Sequence, residues 1–120
     1  MRRVRDEGVE LDLPFRCDSP DARREMRLRI GARSAGRFVL FSASMLSEVP
    51  RRFPQTLLSA ETPRAAEKLV MCGWCDRFLV DEEWVEVEEA ARRLELFRRP
   101  KLPTIAHGIC PECTRLLMAA

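Results

Sequence analysis

Val9, Leu11, Leu13, Phe15 and Cys17 alternate with polar or charged residues, and a period of two predicts a half-buried strand over 9–17. Pro14 cannot donate to a ladder, which places this strand at an edge or a bulge. Asp18-Ser19-Pro20-Asp21 is turn chemistry. Met26, Leu28 and Ile30 alternate with Arg27 and Arg29 and predict a second strand over 24–30. Residues 31–36 read as a connection, and Phe38 to Phe41 as a third, more apolar strand. Short links between three strands predict an antiparallel meander whose apolar face the second half of the chain must cover.

The pattern then changes. Pro50 and Pro54 forbid a long helix through 43–62, so Met45, Leu46, Val49 and Phe53 read as packing residues on an irregular segment. Thr62-Pro63 has the chemistry of a helix start, predicting a short helix over 63–70. Trp84, Val87, Ala91 and Leu94, widened by Ala90 and Phe97, fall on one stripe of a helix over about 82–97. Acids crowd its start and arginines its end, complementing the helix dipole. That accounts for Glu83, Glu86, Glu88 and Glu89 without any catalytic role. Pro100 and Pro103 end this helix, and 111–118 can form a last one.

Composition adds limits. The 120 residues are 46% hydrophobic and 33% charged, ordinary for a globular protein. The net charge of +2 creates no global basic field of the kind that marks a nucleic-acid binder. Arg2, Arg3 and Arg5 read as a solvated, frayed terminus. No apolar run reaches the roughly 18 residues of a membrane span, and the charged start lacks the apolar stretch of a secretory signal. A cytoplasmic, reducing location is expected, where paired cysteines are more often metal ligands than disulfides.

Four of the five cysteines form two pairs, Cys72-Gly-Trp-Cys75 and Cys110-Pro-Glu-Cys113. Two intervening residues let a tight turn aim both sulfurs at one point, and four thiolates complete the tetrahedron that zinc prefers. Gly73 relaxes the first turn and Pro111 presets φ in the second. The competing chemistries fit less well. A thioredoxin-like dithiol needs a βαβ setting, which is not visible around Met71. Covalent haem attachment needs His where Asp76 and Thr114 stand. A four-cysteine iron–sulfur cluster stays open. His107, three residues before Cys110, reads as a hydrogen-bond donor to a sulfur or a backbone carbonyl, or as an alternative ligand. Cys17 reads as a small buried core residue. Trp74 and Trp84 are expected to shield the metal, and Trp74, if exposed, and Arg77 are candidate partner contacts.

Met71-Cys-Gly-Trp-Cys-Asp-Arg, then Trp84, then Thr104-Ile-Ala-His-Gly-Ile-Cys-Pro-Glu-Cys113 resembles a small cysteine-rich bacterial module. Similar modules lie at the C-termini of PAS-containing sensor proteins and some response regulators. The likeness spans about residues 70–116 and implies metal binding in a signalling context, without supplying a reaction. Residues 9–42, including Phe15-Arg-Cys-Asp-Ser-Pro-Asp-Ala-Arg-Arg24, resemble the closing strands of a PAS-like unit.

The combined expectation is an α+β protein. A sheet of about three antiparallel strands (1–62, a PAS-like half-domain) packs against a zinc-stapled helical module (63–120). The functional expectation is a non-enzymatic zinc-binding protein with a structural four-cysteine site, acting as a signalling-associated interaction module with a protein partner or a second copy. The alternatives are a zinc-ribbon-like nucleic-acid binder, using Arg23, Arg24, Arg27, Arg29, Arg33 and Arg37, or a thiol/zinc redox switch.

Overall fold

The computed structural model describes residues 2–119. A short helix α1 (Arg2–Glu7) precedes β1 (Leu11–Arg16), β2 (Ala22–Arg33) and β3 (Phe38–Pro50). These three strands form an antiparallel sheet in the order β1-β2-β3. After a 3-10 turn at Thr56–Leu58 come β4 (Arg64–Cys72), β5 (Phe78–Val80), β6 (Glu83–Val85), α2 (Val87–Arg93), a second 3-10 turn at Leu96–Arg98, β7 (Leu102–Gly108) and α3 (Pro111–Met118). The second sheet has the order β6-β5-β4-β7.

This overturns the expected α+β architecture. The chain is mostly β, with 46% strand against 22% helix, and the C-terminal half is a four-stranded sheet bearing two short helices, not a helical module. The helix expected over 63–70 is β4, which runs parallel to β7 with Leu69 opposite Ile105 and Cys72 opposite Gly108. Ala65-Ala66-Glu67-Lys68 favours a helix locally, but pairing with a strand far along the chain outweighs that preference.

The helix expected over 82–97 is three elements. Asp81 (φ 49°) and Glu82 (φ 66°) are both left-handed and join Val80 to its partner Glu83. A two-residue link with positive φ at both positions is the turn whose twist suits a hairpin. Trp84 therefore sits on a strand. Helix α2 follows with Glu88 and Glu89 in its first turn and Arg92 and Arg93 in its last, until Glu95 (φ 49°) breaks it. Val87, Ala90 and Leu96 are buried, whereas Phe97 is exposed.

The second sheet's core joins Leu69, Phe78, Val80, Val87, Ala90, Leu96 and Leu102 to Leu57, which the connecting segment inserts. Arg64 holds that segment by donating to the Leu57, Ser59 and Pro103 carbonyls at 2.7–3.0 Å. The packing expected from Met45, Leu46, Val49 and Phe53 is thus supplied by Leu57. Those four are exposed: Met45, Leu46 and Val49 because β3 continues through 43–50 as a strand with one neighbour, and Phe53 in the segment that follows it. The N-terminus also differs from a frayed tail: Val4 on α1 is fully buried with Leu13 and Ile30. Cys17, expected inside, is exposed.

The two sheets are locked by an ion network. The Asp18 side chain is 1% exposed and pairs with Arg16 and with Arg51 (2.8 Å to the latter). Arg16 also reaches Glu86 at 2.7 Å, and Arg51 reaches Glu88, both on the far side of the junction. Removing one member of such a buried set leaves the others uncompensated. Asp18→Ala is expected to lower unfolding stability by about 3–5 kcal/mol, read from urea denaturation. Conversely, Asp81→Asn with Glu82→Gly suits both left-handed positions and is expected to add about 1 kcal/mol. A lower urea midpoint for that double variant would contradict the turn assignment.

Candidate metal centre

The parallel pairing of β4 and β7 explains how two distant cysteine pairs meet. Both strands deliver their C-terminal ends to the same end of the sheet. Gly73 N–H donates to the Gly108 carbonyl at 2.8 Å, and each chain segment then turns through its cysteine pair. The first turn is closed by Cys72 N–H to the Arg77 carbonyl (2.7 Å) and Asp76 N–H to the Cys72 carbonyl (3.0 Å). Asp76 takes a positive φ of 63°, which a short polar side chain tolerates. The second turn is the start of α3, where Cys110 is the N-cap and its sulfur accepts the Cys113 N–H at 3.4 Å.

The four ligand sulfurs of Cys72, Cys75, Cys110 and Cys113 lie within 4.8 Å of one another. Cys75 Sγ and Cys110 Sγ are 3.8 Å apart. That is far beyond a disulfide bond, about 2.05 Å. It matches the roughly 3.8 Å edge of a tetrahedron with metal–sulfur bonds of about 2.3 Å. Cys72, Cys110 and Cys113 are buried and Cys75 half-buried, with Trp74 and Trp84 packed over the cluster. The donor set therefore fits a tetrahedral divalent metal with all four positions taken by sulfur.

Electrostatics agree with that reading. Burial acts to raise the Cys72 thiol, but backbone N–H groups of Cys110, Cys75 and Trp74 outweigh it and hold it at about 7. Burial pushes Cys75 up to about 11 against a backbone N–H from Arg77. Burial and the neighbouring sulfurs of Cys110 and Cys75 push Cys113 up as well. Like charges this close oppose one another, and a cation at the centre is what lets all four ionise. The start of α3 adds a favourable dipole end on the same side.

His107 lies on β7 opposite Met71 and is exposed. The cluster of close ligand atoms holds the four sulfurs and not its imidazole. Trp74 is half-buried, and its indole N–H donates to the Pro14 carbonyl at 2.6 Å. Its ring meets Phe15 with centroids 5.7 Å apart, so it ties the centre to the first sheet. Arg77 pairs with Glu86 (3.3 Å) and Glu112 (2.9 Å), bracing the first cysteine turn against the second.

Sequence reading missed three features. Asp76 is buried and accepts the Asp18 N–H at 2.8 Å, and burial raises its carboxyl to about 6. Asp18, read as a turn residue, anchors the Arg16–Arg51 network. A cleft of about 590 Å³ opens beside the centre, lined by Phe15, Met26, Leu46, Trp74 and Leu116, with Cys75 and Cys113 on its wall. No spacing rule marks any of these: Arg16 is two residues from Asp18, but Arg51 and Asp76 lie 33 and 58 positions from it.

Trp74→Ala removes a ring shared by the cysteine cluster and the first sheet. It is expected to cost about 3 kcal/mol in urea denaturation and to speed loss of bound metal to a chelator. The chain matches no protein-family profile, no curated protein and no solved structure.

Proposed function

We propose that this chain is a non-enzymatic zinc-binding protein, a signalling-associated interaction module whose four-cysteine site is structural. The observation that carries the reading is the closed set of four mutually adjacent cysteine sulfurs, roofed by two tryptophans. Borderline-soft zinc suits four thiolates in a tetrahedron. With every position filled by sulfur there is no place for a reactive water or a substrate, so the metal's contribution is folding energy. The signalling context rests on the resemblance of residues 70–116 to modules of sensor proteins, and a reducing, cytoplasmic location suits reduced thiolates.

The nucleic-acid alternative draws little support from the charge layout. Arg24 pairs with Glu48 at 2.7 Å, and Arg27 and Arg29 both reach Asp12, at 3.0 and 3.8 Å. The arginines of β2 are largely matched within the sheet instead of forming a free basic face. The glutamates around α2 are similarly engaged: Glu86 with Arg16 and Arg77, Glu88 with Arg51, Glu89 with Arg92.

Protein purified without a metal-affinity tag is expected to carry about one zinc per chain by mass spectrometry. Only Cys17 should titrate readily with a thiol reagent before denaturation. Cys113→Ser or chelation should unfold the second sheet, seen as loss of its amide protection, because metal binding and folding are coupled. Metal-free protein with five reactive thiols, or a Cys113→Ser protein with unchanged thermal unfolding, would refute the structural-zinc reading.

A further inference from the structure

The molecule is elongated, with extents of 56 × 27 × 21 Å and a radius of gyration of 17.1 Å, against about 13.6 Å expected for a compact domain of this length. Much of the excess is the long β2–β3 hairpin, whose strands have 12 and 13 residues. Strand β3 is the edge of its sheet. Its outer backbone groups have no strand partner among the described residues.

Edge strands in monomers are normally short, charged, bulged or covered. Among the residues of β3, Phe38 through Pro50, Glu48 alone is charged, and its carboxylate is held by Arg24 of the same sheet. The strand has one bulge, near Leu46, opposite Glu25/Met26. Between Phe38 and Met45 the pairing with β2 is regular, and the β3 segment itself is uncharged and free of proline. Phe38, Leu40, Phe41, Met45, Leu46 and Val49 are each between 49% and 65% exposed. They divide between the two faces of the strand, Phe41 and Met45 on one and Phe38 and Leu40 on the other, so a strand added at this edge meets exposed apolar side chains on both faces.

We propose that β3 is a homodimer interface, and that a second copy of this chain adds its own β3 antiparallel to the first, with Ala43 at the two-fold axis. The proposal names the partner within the interaction-module reading on which it rests, and it does not depend on the metal. Three observations favour a second copy as the occupant. First, the area is of the right order. Six large apolar side chains at roughly 100 Å² each offer at most about 600 Å² per copy, to which the backbone edge adds, against about 800 Å² per partner in a standard interface.

Second, the strand is self-complementary. Phe41, Ala43 and Met45 share one face, opposite Ile30, Leu28 and Met26 of β2. Antiparallel pairing about Ala43 sets Phe41 of each copy against the other copy's Met45, a favourable sulfur–aromatic pair made twice. The small Ala43 side chain on the axis permits close approach. Ser42 then meets the other copy's Ser44 on the opposite face. Third, no like charges meet: about Ala43, residue 38 pairs with 48, so Glu48, the one charge in that segment, falls opposite the other copy's Phe38 and stays paired with Arg24 of its own sheet. The product is one continuous sheet with three strands from each copy, and neither β3 remains an edge.

The test is light scattering coupled to size exclusion on the full chain. The expected mass is twice 13.9 kDa for the unaltered protein. Phe41→Lys should halve it with unchanged far-UV circular dichroism, since the side chain is more than half exposed in the single chain. Phe41→Lys with Met45→Glu should restore the doubled mass by placing opposite charges across the axis twice. Ser44→Lys is a second single variant, read the same way if Phe41→Lys is poorly folded. A single-chain mass at concentrations up to about 1 mM, or a dimer that survives both single variants, overturns the proposal. A double variant that stays monomeric overturns the Ala43 register. A monomer that instead uses β3 to hold a different protein overturns the second-copy assignment while leaving the interaction-module reading intact. Loss of zinc with the dimer preserved refutes the metal reading alone.

Discussion

Four thiols this close together cannot all ionise without a positive charge among them, and much else in this fold serves that constraint. The sulfurs are assembled from two turns whose first and last cysteines are 41 positions apart in the chain. Neither turn can enclose a cation alone. Parallel pairing of β4 with β7 makes the two turns neighbours, and the Gly73–Gly108 hydrogen bond fixes their mutual height. Helix α3 then begins at one of the sulfurs, so its dipole and its capping bond act at the same point. The tryptophans pack against the cysteines, and Trp74 carries the connection onward to Pro14 and Phe15 of the first sheet.

A second constraint operates where the two sheets meet. Asp18, Arg16 and Arg51 are nearly inaccessible, and burying charge costs far more than burying apolar surface unless each charge is matched. Here the matching crosses the junction: Arg16 and Arg51 come from the first sheet and the segment just after it, and Glu86 and Glu88 from the lead-in and first turn of α2. The geometry of the junction is thereby specific, since a shift of either sheet would strand a buried ion. The backbone bonds Arg16 N–H to the Trp74 carbonyl and Gln55 N–H to the Pro20 carbonyl pin the same junction from either side.

What was legible in the sequence follows from how local each signal is. The cysteine pairs were readable because two-residue spacing is itself the geometry of a metal turn. The strands at 11–16 and 22–33 were readable because alternation reports one buried face directly. Residues 64–72 were not, because a strand whose partner is β7 shows its reason only in three dimensions, while Ala-Ala-Glu-Lys argues locally for a helix. Residues 82–97 misled for a different reason. Trp84, Val87, Ala91 and Leu94 satisfy a helical period by coincidence across a strand and a short helix. The chain breaks where Asp81, Glu82 and Glu95 adopt positive φ without the glycine or asparagine that would announce it. Met45, Leu46 and Val49 were expected to pack because apolar residues usually do, and an apolar edge left open looks the same in sequence as a buried one. The Asp18 and Asp76 carboxylates read as no more than turn or loop residues, since Arg51, which completes the Asp18 pairing, and the Asp18 N–H, which Asp76 accepts, each come from far along the chain.

The parallel crossover between β4 and β7 also governs the order of events as the chain folds. A metal turn closed by a hairpin forms from neighbours and can capture its ion early. Here the ligands from the first turn must wait until β5, β6, α2 and β7 have been laid down and the long loop between the strands has closed, a non-local step that is intrinsically slow. On a ribosome, Cys72 and Cys75 emerge well before Cys110 and Cys113 exist to complete the tetrahedron. During that interval the nascent chain presents a half-formed thiol pair beside an unpaired strand edge, and the arrival of the second cysteine pair finishes the metal site and gives α3 its cap.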